Sequence, residues 1–560
     1  MPKIEIDGKP VEVPAGTNLV EAAKLLNIEI PTYCYHPGLT VVGSCRMCQV
    51  EMEQNGRTSV VLGCNTPAAD GMKVITTSEK VHTLRASALE FLLQNHPLDC
   101  PICDDAGECD LQNYYMRYGL HDSRVNLLDK IHKHKVHDVG PTVVLDSERC
   151  VLCSRCVRFC REVAGVDELG IFGHGMQSEL MNPPGKRLEN DYSGNVVDLC
   201  PVGALTDKDF RFKRRVWYME RTPSVCTGCS RGCNINIDWE IERRYKDPQR
   251  RIQRLKPRYN RMVNEWWMCD RGRYGYHAVD APDRLTAPHT RSETNGQGAL
   301  TVDLVLQRAA AKIKAAVSKN GPKSVAVIAS PHSSNEDLFL LKSLFVDTLK
   351  VDTIDINVSK EETGKQDEIL MKADLTPNRR GAEEFGFHSG KNGGMSGDDI
   401  LSGALDGDYD VLIVVHHDLS RLMGPKELAK LDQRCDYILY LGTHENGTVP
   451  VADDVIPLAM SAEREASYTN FEGRVQKTAK PFEPRGQARD EWSIWQDLAQ
   501  LLGIPWKYAS AADVFDAMGN SVPSFKGLTW EGLGNSGKML AGVPEPAYRK
   551  VQSSKPLPAY

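Results

Sequence analysis

Apolar and polar positions alternate from the start of the chain. Ile4 and Ile6, a turn at Asp7-Gly8, then Val11 and Val13 predict a hairpin within residues 1–33. The period then lengthens. Asn18 followed by Glu21 is a capping-box pattern, and Leu19, Ala22, Ala23 and Leu26 supply the apolar stripe of a helix. A second helix is predicted over 80–95, with Leu84, Ala88, Phe91 and Leu92 on one face. Beyond Ala278 the pattern changes. LTVDLVLQRAAAKIKAAV fits a helix, while SVAVIAS at 324–330, VLIVVHHD at 411–418 and YILYLGTHEN at 437–446 are short apolar runs that each pass into a polar loop. This alternation predicts a doubly wound α/β domain with a parallel sheet. HSGKNGGMSGDD at 388–399 is expected to be a flexible loop.

With 560 residues the chain has room for several domains, roughly three or four on the usual size scale. Apolar residues make up 41%, enough for real cores, yet no run approaches the ~18 needed for a membrane helix. MPKIEI leads straight into the first strand, so no secretory or transit segment is expected. A net charge of −7 excludes little. The 17 cysteines say more: all but Cys435 precede residue 270. An odd count without a secretion signal, spaced as C-x2-C, points to metal ligation in a reducing compartment.

The stretch HPLDCPICDDAGECDLQ sets His96, Cys100, Cys103 and Cys109 on one loop, stiffened by Pro97 and Pro101 and returned by Gly107. Four soft or borderline donors suit a metal centre. On this stretch alone, zinc on one histidine and three cysteines competes, and an aspartate could replace His96 as fourth ligand. Upstream, Cys34, Cys45, Cys48 and Cys64 follow the hairpin and helix, the order of a β-grasp ferredoxin, with the C-x2-C pair and distant fourth cysteine of plant-type [2Fe–2S] domains. His36 reads as a loop histidine beside four available thiolates. IHKHKVHD at 131–138 reads as a solvated connector.

Downstream, Cys150, Cys153 and Cys156 form C-x2-C-x2-C, and Cys200-Pro201 lies far beyond. Three close cysteines can each take a different iron of a cubane while a remote one takes the fourth corner, whereas zinc sites usually draw two pairs. Cys160 is then a spare buried thiol, and Arg155 and Arg158 flank the site. A fourth group comprises Cys226, Cys229, Cys233 and, after a long insert, Cys269. The insert ERRYKDPQRRIQRLKPRYNRM is strongly basic and reads as a solvated hairpin or subunit contact, since no nucleic-acid module surrounds it. Gly532–Lys538 has P-loop spacing, but Met539 replaces Ser/Thr and no strand leads in, so it is rejected.

With CRMCQVE, HPLDCPICDDAGECDLQ, CVLCSRCVRFC, CPVGALT at 200–206, CDRGRYGY at 269–276 and EREASYTNFEGRVQ at 463–476, the chain resembles the large iron–sulfur subunit family, the G subunits, of proton-translocating NADH:quinone oxidoreductase, complex I. The resemblance implies an α+β and α/β multidomain chain. Its parts would be a β-grasp [2Fe–2S] ferredoxin domain (1–80), a [4Fe–4S] domain with His-plus-three-Cys ligation (81–140), a [4Fe–4S] ferredoxin-like domain (141–215), a [4Fe–4S] domain of the molybdopterin-enzyme type (216–280), and a shortened molybdopterin-oxidoreductase-like domain without pterin (281–560). It implies one [2Fe–2S] cluster on Cys34, Cys45, Cys48 and Cys64, and [4Fe–4S] clusters on His96, Cys100, Cys103 and Cys109 and on Cys150, Cys153, Cys156 and Cys200. The fourth group, which only some members keep, would hold a further [4Fe–4S] cluster; its gap before Cys269 is longer here than that form has.

The implied activity is electron relay from NADH, through a partner's flavin and these clusters, toward quinone. Partners would be the FMN/NADH-binding subunit and other iron–sulfur subunits, with no nucleic acid. The chain would lie peripherally on the cytoplasmic face of the bacterial inner membrane, held there through partners. It carries no G-x-G-x-x-G dinucleotide fingerprint, so neither NADH nor FMN is assigned to it. The competing reading is a molybdenum or tungsten formate dehydrogenase. That enzyme needs a metal-ligating cysteine in the α/β region, where Cys435 alone is available and reads as a core thiol. An iron-only hydrogenase would need further C-terminal cysteines. A zinc-bound scaffold remains a separate class.

Overall fold

A computed structural model describes residues 1–242, 250–291, 300–356, 363–390 and 395–554. It divides into two compact units, residues 1–219 joined by the stretch from Val551, and residues 220–550.

The first unit opens with the expected hairpin. Lys3–Ile6 pairs antiparallel with Lys9–Glu12, Ile4 facing Val11. The five-stranded sheet runs Lys9–Glu12, Lys3–Ile6, Lys73–Ile75, Gln49–Gln54, Arg57–Leu62. The helix Leu19–Leu25 lays Leu19, Val20, Ala22 and Ala23 against Ile4, Ile6, Val50 and Val74. Burying each Leu, Ile or Val of this set stabilises the unit by about 1.5–3 kcal/mol. Cys48 and Cys64 belong to this same core. The capping box is half made: Asn18 Oδ1 accepts the Glu21 amide at 3.0 Å, but the Glu21 carboxylate accepts instead from the Tyr35 hydroxyl at 3.0 Å. The sheet, its one covering helix and the following cysteine loops form the β-grasp arrangement.

The helix Glu79–Leu93 forms where expected but buries another face. Val81, Arg85 and Leu89 point inward, and Phe91 is 79% exposed. Arg85 fixes this orientation by donating to the carbonyls of Thr76 (3.0 Å) and Gln49 (3.1 Å), which the sheet leaves open. The 131–138 segment is only partly a connector: His137–Asp138 pairs with Val143–Leu145, which pairs with Leu205–Asp207. From the far end of the sequence, Val551 is buried in this unit and the Ser553 amide donates to the Val163 carbonyl at 2.7 Å.

In the second unit, Glu220–Val225, Asn234–Trp239 and Ile252–Pro257 form an antiparallel sheet. The insert's Ile252–Pro257 is therefore a largely buried strand paired with Asn234–Trp239 and not a solvated one; residues 243–249 lie outside the described residues. Arg254 and Arg221 both bind Asp238, and Arg251 is buried against Asp280 and Glu463.

A six-stranded sheet follows in the order His289–Thr290, Asp454–Pro457, Tyr437–Gly442, Val411–Val415, Val325–Ala329, Ile354–Ile356. Five strands are parallel and His289–Thr290 is an antiparallel edge. Alternate residues feed two cores. Val325, Val327, Ile413 and Leu439 meet the helices Val302–Asn320, Glu491–Leu501 and Ala511–Ser521. Ala326, Ile328, Leu412 and Ile438 meet Gly397–Asp406 and Pro425–Arg434. Both faces are covered, which is why these strands read as unbroken apolar runs. The 388–399 loop is shorter than expected. Ser396 and Asp399 close a capping box, so Gly397, Asp398 and Asp399 are a helix's first turn, and 391–394 lie outside the described residues. The rejected P-loop ends in the short strand Lys538–Met539 beside Arg474–Lys477.

Candidate metal centres

None of the 17 cysteines is in a disulfide. Among the described residues, no three His, Cys, Asp or Glu side chains close around one point as they would on a single ion.

The first group sorts into two pairs. The Cys45 thiol lies beside Cys34 closely enough to lower its pKa, and the Cys48 and Cys64 sulfurs are 3.3 Å apart. Two pairs are what two bridged irons require, two thiolates to each. The neighbouring Cys45 thiol holds Cys34 down to about 5, and the Cys64 thiol beside it likewise lowers Cys48. The loop closes tightly: the Gly63 amide donates to the Cys48 carbonyl at 2.9 Å, and a side chain at Gly63 would press that carbonyl. Burial pushes His36 down to about 3, and its Nδ1 accepts the Gly38 amide at 3.1 Å, as a loop histidine should.

In the second group, Cys100–Ile102 is a 3-10 turn that brings the Cys103 amide onto the Cys100 carbonyl, and Cys109 caps the helix Asp110–Tyr118. Gly107 has φ +93°, a conformation that favours glycine. Burial pushes His96 down to about 4, so its ring is neutral, and Nδ1 is buried without a hydrogen-bond partner. A neutral imidazole with an unpartnered buried nitrogen fits a metal ligand. Asp99 is a poor substitute, because it pairs with Arg149 at 2.8 Å and Lys135 at 3.3 Å.

The third group lines a small hollow whose other walls include Ile171, Leu180, Val202 and Leu205. Cys150, Cys153, Cys156 and Cys200 all face it. Leu152 (φ +52°) and Ser154 (φ +59°) take left-handed backbone between the cysteines, a strained turn of the kind found at functional sites. Burial raises Cys150 to about 12 and pushes Cys156 and Cys200 higher still. Without a cation these thiols stay protonated; bound iron would favour the thiolates. Cys160 is fully buried in the π-helical turn Phe159–Ala164 and does not line the hollow.

The fourth group belongs to the second unit. Cys226 and Cys233 flank the turn joining two paired strands, Val225 facing Asn234, and the Cys226 amide donates to the Cys233 carbonyl at 2.8 Å. The inserted strand returns the chain to Cys269, which caps the helix Asp270–Tyr274. A side chain at Gly272 would lie 3.1 Å from Cys226 sulfur and 3.5 Å from Cys269 sulfur, so both thiols crowd one backbone position. Cys435 is packed among Leu401, Tyr409 and Leu431, and burial raises it to about 12.

The three sites of the first unit are joined pairwise: Tyr33, whose amide donates to the Cys45 sulfur at 3.5 Å, packs edge-on against Tyr114 of the helix that Cys109 caps. Arg155 donates to the carbonyls of Tyr35 (2.6 Å) and Leu199 (3.3 Å), joining the first and third loops. The third joins the second where the Asp110 amide meets the Pro201 carbonyl at 3.0 Å. Sequence reasoning passed over Gly203, although it lies within the CPVGALT run. A Cβ there would fall 2.4 Å from Cys103 sulfur. Gly203→Ala is therefore expected to displace Cys103 and abolish the signal of the histidine-containing site while sparing the [2Fe–2S] signal. Low-temperature EPR of the full-length protein measures both.

Family models match most of this architecture. Residues 2–79 match a 2Fe-2S iron-sulfur cluster binding domain, 85–124 the NADH-ubiquinone oxidoreductase-G iron-sulfur binding region, and 140–206 the ferredoxin-like domain of NADH-quinone oxidoreductase subunit 3. Residues 219–281 match the molybdopterin oxidoreductase Fe4S4 domain and 402–501 molybdopterin oxidoreductase. The NADH-quinone oxidoreductase G subunit of Rickettsia bellii is 28% identical over 94% of this chain and 90% of its own length. The mitochondrial NADH-ubiquinone oxidoreductase 78 kDa subunit of Neurospora crassa is 30% identical over 92% and 82%. The G subunit of Pseudomonas fluorescens is 36% identical over 61% of this chain, and the match spans only 36% of that protein.

Proposed function

Because this chain belongs to the family of the NADH-quinone oxidoreductase G subunit and its mitochondrial 78 kDa counterpart, we propose that it is the electron-relay subunit of such an enzyme, carrying electrons that originate from NADH toward quinone. The observation that carries this reading is the mutual contact of three thiol sites within one compact unit. Bound iron–sulfur clusters supply one-electron carriers whose potentials the protein tunes through charge, hydrogen bonds and burial.

The chain's own residues would act as follows. Cys34, Cys45, Cys48 and Cys64 hold a [2Fe–2S] cluster. His96 with Cys100, Cys103 and Cys109, and Cys150, Cys153 and Cys156 with Cys200, hold [4Fe–4S] clusters. Cys226, Cys229, Cys233 and Cys269 hold a further one beside the pterin-type fold. The apolar walls around Cys150 and Cys200 exclude water. The five-part division of the chain given by the motifs is part of this proposal.

Flavin and NADH belong to partner subunits. No helix among the described residues is long and apolar enough to cross a membrane. Attachment to the cytoplasmic face of a bacterial inner membrane would then run through partners. Exposed Phe91, Leu98, Ile102 and Leu128 in the first unit support docking of such subunits. The formate dehydrogenase alternative is disfavoured, because Cys435 faces a packed core and not a cleft.

Anaerobic purification of the full chain tests the proposal. Iron with acid-labile sulfide, EPR signals of both cluster types, and reduction by NADH once the flavoprotein partner is added are expected. Zinc without sulfide would replace the relay by a structural scaffold. Stoichiometric pterin with dye-linked formate oxidation, lost in Cys435→Ala, would replace it by the dehydrogenase.

A further inference from the structure

Arg158 lies in the short helix Arg155–Arg158, directly before the π-helical turn Phe159–Ala164. It is buried at 5% exposure, and its guanidinium reaches both neighbouring cysteine loops. On one side it donates to the carbonyls of Cys34 and Thr40, and on the other to the Cys153 carbonyl at 3.3 Å. Its Nε adds a bond to Ser154 Oγ at 3.2 Å. Glu162, on the following turn, completes the clamp by accepting from the Thr40 amide at 2.8 Å and from the Thr40 hydroxyl. A guanidinium is always charged, and its planar fork is suited to holding several acceptors at once.

Here the acceptors belong to the backbone of one cysteine at each of two sites. Resting on the relay reading above, we propose that Arg158 is a positioning residue shared by the [2Fe–2S] and the Cys150–Cys200 [4Fe–4S] sites. It locks Cys34 and Cys153 against each other, and its fixed positive charge favours the reduced form of both clusters. Adding an electron makes a cluster more negative, so a buried cation beside it raises the potential, and a buried anion such as Glu162 lowers it. One charge placed between two sites moves both in the same direction. The pair thereby becomes easier to reduce together.

The test is an anaerobic redox titration of the full chain, following both EPR signals with iron and sulfide counts. Arg158→Gln is expected to shift both midpoint potentials downward. Arg158→Lys should recover part of the shift, because the charge stays while the fork is lost. Glu162→Gln should shift both upward. A purely structural residue would change cluster content without this ordered pattern. Unchanged potentials in Arg158→Gln at full iron content, or a shift confined to one signal, would overturn the proposal. Should Arg158→Gln lose iron, Glu162→Gln decides: unmoved potentials refute the shared charge effect. Absence of the two signals from the unmodified chain would instead refute the relay reading beneath it.

Discussion

Cys156→Ser is expected to abolish or convert the [4Fe–4S] signal of the Cys150 site, whereas Cys160→Ser leaves it intact. The two thiols sit four residues apart, and Cys160 completes C-x2-C-x2-C-x3-C, the run of bacterial ferredoxins in which the fourth cysteine serves a second cluster. The fold separates them. Cys156 faces the hollow with Cys150, Cys153 and Cys200, and Cys160 is enclosed in the π-helical turn away from it. A serine at Cys156 presents a hard hydroxyl with a far higher pKa in place of a soft thiolate, so the fourth iron is lost or its ligand replaced. At Cys160 serine removes only a core sulfur. Iron counts and low-temperature EPR of both variants measure the difference, and the opposite outcome would reassign the ligand.

The second large effect is on stability. Glu463→Ala is expected to destabilise the C-terminal unit by about 3–5 kcal/mol, the usual penalty for stripping one partner from a buried ion pair. Glu463 is fully buried and accepts from Arg251 at 2.6 Å, Arg284 at 2.9 Å and the Met460 amide at 3.0 Å. Arg251 keeps Asp280 as a second anion, but among the described residues no other carboxylate is bonded to Arg284, so its charge is left inside without compensation. An exposed pair would cost under about 1 kcal/mol. Glu463→Gln keeps the acceptor and loses the charge, and should fall between. Denaturant unfolding followed by tryptophan fluorescence reads the loss; a change below about 1 kcal/mol would show that the network does not brace the unit.

Much of this protein was legible in its sequence because its chemistry is local. Ligand cysteines come in short loops, so C-x2-C-x2-C and the His96 stretch announce themselves without knowledge of the fold. The strands around Val327, Ile413 and Leu439 were legible because burial on both faces forces unbroken apolar runs. What sequence misassigned depends on distant partners. Phe91 fits an apolar helix face as well as Leu89 does, and only the carbonyls of Thr76 and Gln49, captured by Arg85, decide which side turns inward. Arg251 and Arg254 look solvated until Glu463, Asp280 and Asp238 arrive from elsewhere in the chain. Gly203 gave no pattern because its role is an absence of atoms beside Cys103.

The return of Val551 to the N-terminal unit sets an order on biosynthesis. That unit's cysteine loops leave the ribosome early, yet the partner of the Val163 carbonyl, the Ser553 amide, is made only after the whole second unit. The turn carrying Glu162 therefore waits, half-pinned, through the synthesis of several hundred residues that belong elsewhere. A deletion placed just after Lys550 would act at the opposite end of the map from where it is drawn, taking from the turn Phe159–Ala164 the partner of its Val163 carbonyl.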